Sequence, residues 1–135
     1  MHTGQSAADV VLHGRTFVGV SNSAGGDVDG GTRFTYRQDG DTVWAEYAGG
    51  AVARGYLVGT RAGDELTFRY VHLDRDGATA TGRCRSRVVV LPDGRLELHE
   101  EWAWESRPGA GRSVVAEVPD RPGPGDGTVR PGGRP

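Results

Sequence analysis

The chain has 135 residues, 36% hydrophobic and 25% charged, with a formal net charge of −2, so a single domain with a modest core is expected. That charge balance excludes the basic footprint of a nucleic-acid or membrane-surface binder, and a lone cysteine, Cys84, excludes an internal disulfide. No apolar run approaches the roughly 18–20 residues that span a bilayer, and no cationic stretch leading into an apolar one marks the first 30 residues, which makes the cytoplasm the expected compartment.

Residues 1–8 are small and polar and are expected to fray. The working domain is expected over 9–118. Beyond it, residues 119–135 hold five Pro, five Gly and one apolar side chain, Val129, too little burial to offset backbone ordering, so a disordered tail is expected. Within the domain, alternating apolar and polar runs end at Asp39-Gly40, Gly49-Gly50, Gly63-Asp64, Asp76-Gly77, Asp93-Gly94 and Pro108-Gly109, where Gly accepts the positive φ of a tight hairpin. Strands are predicted near 13–20, 31–38, 42–48, 51–60, 65–73, 78–91, 95–106 and 112–118. Such short loops make consecutive strands antiparallel neighbours. An all-β, eight-stranded, antiparallel up-and-down barrel follows, because closure removes two open edges; a Greek-key sandwich needs longer connections than this chain offers.

Period-two alternation sorts the two faces. In the second strand Phe34, Tyr36 and Gln38 oppose three polar residues. The third strand permits either Trp44 with Glu46 or Val43 with Ala45 and Tyr47 inside; Trp44 is the expected inward residue. Leu66, Phe68, Tyr70 and His72 share the inner face of the fifth strand. Ala80, Gly82, Cys84 and Ser86 form a small-residue wall in the sixth, opposite Arg83, Arg85 and Arg87. In the seventh, Glu100 lies in phase with Leu96, Leu98, Trp102 and Trp104. An apolar interior with a few convergent polar groups is the usual build of a small-molecule site.

His72 and Glu100 are the candidate acid–base pair, since a shared low-dielectric interior tunes an imidazole and a carboxyl toward proton transfer; a structural pair fixing register is the plainer reading. With one strand between them they stand about 9–10 Å apart across the wall, a gap for ligand or water. Trp102 and Trp104 fill volume or line a bound ring. Ser21, Asn22 and Ser23 read as a loop satisfying its own backbone or as a grip at the mouth. Cys84 has no cation on its own face and reads as an inert thiol. No histidine has a partner at i+2 or i+4, so no metal is expected, and nothing calls for a cofactor.

The runs Gly19-Val20-Ser21-Asn22-Ser23, Gly26-Asp27-Val28-Asp29, Thr32-Arg33-Phe34-Thr35-Tyr36-Arg37-Gln38, Val43-Trp44-Ala45-Glu46-Tyr47-Ala48-Gly49-Gly50, Tyr70-Val71-His72, Thr81-Gly82-Arg83-Cys84-Arg85-Ser86 and Leu98-His99-Glu100-Glu101-Trp102-Ala103-Trp104 resemble a group of small bacterial proteins with an avidin-like, calycin-type β-barrel, over about residues 13–118. Members often go by the name N-acetylglutamate synthase, but acyl-CoA chemistry of the usual kind needs a phosphate-cradling loop opening a helix, and no helix is readable here. The resemblance implies a small ligand held by hydroxyl, amide and Trp side chains, with Ser21, Asn22, Ser23 and Tyr36 suited to a carbonyl or ureido group. An inward His with an inward Glu departs from simple biotin binding. It also implies a homo-oligomer associating through barrel walls.

Three functions are therefore expected in order: a small-molecule-binding barrel lined by Tyr36, Gln38, Trp44, Tyr70, Ser86, Trp102 and Trp104; an enzyme, such as a cyclase, isomerase or lyase, using His72 and Glu100; and an assembly subunit with a merely packed interior.

Overall fold

The computed structural model describes residues 6–119. Eight strands run in chain order: β1 (Thr16–Asn22), β2 (Arg33–Asp39), β3 (Thr42–Gly49), β4 (Val52–Ala62), β5 (Glu65–Asp74), β6 (Thr79–Val90), β7 (Leu96–Trp104) and β8 (Ala110–Glu117). Each pairs antiparallel with the next, and β1 pairs with β8 to close the barrel. All six glycine-marked turns carry a glycine at positive φ; Gly40 and Gly63, at +59° and +61°, occupy the left-handed region that a side chain resists. Among the described residues there is no helix, hence none long and apolar enough to cross a membrane.

The first strand starts later than the alternation suggests, because Gly14 turns the chain at φ +84°. This leaves Val10 and Leu12 as a plug in one end of the barrel. That half of the lumen is aliphatic: Leu12, Val43, Val88, Leu98 and Val115 are all buried there, each such burial contributing about 1.5–3 kcal/mol. The expected frayed segment 1–8 and tail 119–135 fall largely outside the described residues. Ala7, which is described, accepts a hydrogen bond from Arg61 at 2.8 Å.

Inward phases of β2, β5, β6 and β7 follow the alternation. The third strand corrects the expectation for Trp44. Val43, Ala45 and Tyr47 face the core, and Trp44 lies half-buried on the outer wall. Had Trp44 turned inward, Glu46 would have followed it, and an unpaired buried carboxylate costs far more than half-exposing an indole. Val58, its neighbour across β4, and the adjacent pair Tyr56 and Val71 are exposed on the same wall. The outward Arg85 spans Glu65 and Glu101, and Arg83 with Arg69 flanks Glu105.

Glycines set the bore of the other half. Tyr47 stands opposite Gly55, and a Cβ on Gly55 would collide with the Tyr47 ring. Tyr70 and Trp104 both stand opposite Gly82. The Tyr47 and Tyr70 rings thus lie against bare backbone. Gly55→Ala is expected to lower stability by about 2–4 kcal/mol, overpacking and a displaced buried hydroxyl together. Urea unfolding measures it, and a loss under about 1 kcal/mol would show that the ring moves aside at little cost.

Candidate functional site

Three cross-strand rows build the wall of the wider half. Leu66, Ser86, Glu100 and Ser113 form the lowest, Phe68, Cys84, Trp102 and Gly111 the next, and Tyr70, Gly82 and Trp104 the highest. A cavity of about 50 Å³ lies against them, with Phe34, Tyr47 and Leu57 on the facing wall. Residues 23–32, between β1 and β2, fold over its mouth and contribute Gly26, Asp27 and Val28 to the lining.

His72 is 3% exposed and both ring nitrogens are engaged. Nδ1 lies 2.9 Å from the Tyr47 hydroxyl and Nε2 lies 2.9 Å from Asp27 Oδ2. A carboxylate only accepts, so Nε2 donates to Asp27, and in the neutral ring Tyr47 donates to Nδ1. Burial pushes the Tyr47 phenol well above its ordinary pKa, with the charges of neighbouring acids adding to it, which keeps the donor protonated. Gly55 makes this reach possible, since it lies between Tyr47 and His72 in the sheet.

Glu100 is 8% exposed. Burial pushes its carboxyl up from 4.5 to about 7, against the opposing effect of the Ser113 hydroxyl, which donates to Oε1 at 2.9 Å. His72 and Glu100 both line the cavity, but each has its own partners and no hydrogen bond joins them. Cys84 lies buried between their strands' rows, its thiol pushed far up by burial and by the Glu100 charge, as suits an unreactive thiol.

The loop is latched by Trp104 directly and by Trp102 through Asn22, the last residue of β1. Trp102 Nε1 donates to Asn22 Oδ1 at 2.8 Å, Trp104 Nε1 donates to the Gly25 carbonyl at 3.2 Å, and Asn22 Nδ2 donates to the Val28 carbonyl at 3.1 Å. Arg107, beyond the end of β7, donates to Asp27 at 3.3 Å and stacks its guanidinium 4.0 Å from the Trp104 ring centroid.

The remaining residues singled out from sequence are dispersed. A bulge between Gly19 and Ser21 shifts the phase of β1, so Asn22 lines the cavity while Ser21 and Ser23 are exposed; Ser23 Oγ satisfies the Arg112 backbone instead. Gln38 lies at the plugged end, accepting from the Leu12 amide at 3.0 Å and from Arg61 at 3.2 Å. Tyr36 and Ser86 are buried, and the hydroxyls of both have no hydrogen-bond partner among the described residues. Trp44 is outside. Asp27, Tyr47, Arg107 and Ser113 escaped the sequence reading: Asp27 and Arg107 sit in loops, while Tyr47 carried a legible signal in the unbroken apolar alternation Val43, Ala45, Tyr47.

These features define an antiparallel up-and-down barrel whose aromatic lumen ends beneath a latched loop. The family model described as Avidin-like protein matches residues 10–118, and the chain belongs to that family. No curated protein and no solved structure matches it.

Proposed function

We propose that the protein binds a small, mainly apolar or aromatic molecule in the lumen. The observation that carries this reading is a buried carboxyl, Glu100, left with a single side-chain hydrogen bond among the described residues and bordering a cavity that it shares with the rings of Phe34, Tyr47, Phe68, Tyr70, Trp102 and Trp104. Burying such a group is unfavourable unless something completes its hydrogen bonding, and a ligand does so. A space of about 50 Å³ admits a few waters, whereas pockets for drug-sized ligands run to about 300–1,000 Å³. Loading a larger molecule therefore requires the 23–32 loop to lift, releasing its bonds to Asn22, Trp104, His72 and Arg107.

Binding is favoured over acid–base catalysis by the occupancy of His72. Both its nitrogens are spent on Tyr47 and Asp27, which suits a strut that supports the loop better than a proton shuttle to substrate. Native mass spectrometry of the protein purified from cells is expected to show an adduct that denaturation releases. In a Trp44→Phe background, where only the lumenal indoles remain, aromatic fragments are expected to quench fluorescence. Bare chain mass together with an unresponsive spectrum would refute the binding reading. Turnover of a bound metabolite that disappears in Glu100→Gln would establish the enzyme instead.

A further inference from the structure

The ionisable groups bordering the cavity are lopsided in sign. Asp27 and Glu100 are acids, His72 is tied to Asp27, and the phenols of Tyr47 and Tyr70 and the thiol of Cys84 are held protonated by burial. Among the described residues no arginine borders it. A ligand carboxylate or phosphate would find the nearest cation, Arg107, already held by Asp27 and the Trp104 face, and once Glu100 is ionised it would stand beside a like charge, which repels strongly in a low-dielectric space. An organic cation meets the reverse situation.

The walls suit one. Trp102 and Trp104 have centroids 5.5 Å apart and planes 58° apart, and Tyr70 meets Trp104 at 5.8 Å and 67°. Rings set at such angles present faces from several sides, the arrangement that attracts a cation through the ring quadrupole. The rim already holds a cation this way. Arg107 rests on the Trp104 face and on the Asp27 carboxylate together.

We propose, resting on the lumenal-binding reading, that the ligand is a small aromatic cation, a protonated amine or an amidine, with Glu100 as its counter-ion and Trp102, Trp104 and Tyr70 as its walls. On binding, Glu100 gives its proton to the amine when the base arrives uncharged, or to solvent when it arrives as the ammonium ion.

Four probes of similar size test this by isothermal titration on the full chain: benzylamine, benzamidine, benzyl alcohol and benzoate. Both cations are expected to bind wild type at least about tenfold tighter than the alcohol, with benzoate weakest, in keeping with one buried charge pair of modest strength. Glu100→Gln is expected to erase that tenfold preference while the alcohol's affinity stays within about twofold. Equal or tighter binding of the alcohol, or binding of benzoate ahead of the cations, overturns the cationic ligand but leaves lumenal binding intact. If Glu100→Gln does not fold, the wild-type ranking alone decides. Should none of the four bind, either to wild type or to Arg107→Ala with its loop latch loosened, lumenal binding itself is refuted.

Discussion

Between about pH 4.5 and pH 7 the wild-type protein is expected to lose stability that Glu100→Gln keeps, by about 3 kcal/mol across the window. In the fold, burial holds the Glu100 proton up to about 7; the unfolded chain releases it near 4.5. Inside that window the native state binds more protons than the unfolded one, so raising the pH favours unfolding. The contribution is complete below about 4.5, declines through the window and is spent above about 7. Glutamine still accepts from Ser113 but does not titrate. Other groups titrate in both proteins, among them Asp93, which Arg95 holds below its ordinary range, so the difference between the two urea midpoints is the quantity to follow. Parallel curves for the two proteins would show that Glu100 is solvated or already paired. Tyr36, Tyr47, Tyr70 and Cys84 face the same interior, but burial raises all four, away from this window.

Arg61→Met is expected to cost about 3–5 kcal/mol. The residue is 6% exposed and burial lowers its pKa, yet among the described residues it faces no carboxylate at hydrogen-bonding distance. Its guanidinium instead donates to the carbonyls of Ala7, Val10 and Gly63 and to the Gln38 side chain. These bonds tie the segment before β1 across the plugged end of the barrel. Methionine fills the volume but leaves buried acceptors unsatisfied, at about 1–3 kcal/mol each. Arg61→Lys is expected to recover only part of the loss, because one ammonium cannot reach acceptors arranged around a planar fork. Chemical denaturation gives the stability, and limited proteolysis reports whether residues 6–12 detach in the variant. A loss below about 1 kcal/mol with unchanged proteolysis would mean that the apolar plug of Val10 and Leu12 holds the segment unaided.

Both effects arise at positions that the linear pattern treats very differently. Glu100 stands out in sequence because it interrupts an apolar series, Leu96, Leu98, Trp102, Trp104, whose phase leaves it nowhere to go but inward. Arg61 looks like an ordinary strand-end charge. It becomes a buried hub only because a segment near the start of the chain, ending at Leu12, folds back over it, a contact 51 positions away in sequence.

The barrel itself was legible from local chemistry: glycine turns and period-two alternation act within a few residues, and together they dictate antiparallel neighbours, closure, and the inward phase of β5, β6 and β7. His72, Glu100, Trp102 and Trp104 therefore point into the lumen on evidence available within their own strands. Their partners needed the folded chain. The register of β3 against β4 and β5 places Tyr47 across Gly55 from His72, the β1 bulge turns Asn22 inward and Ser21 out, and the 23–32 loop carries Asp27 to an imidazole 45 positions along. Each is a choice among near-equal local conformations, settled by long-range burial and hydrogen bonding that no short window of sequence contains.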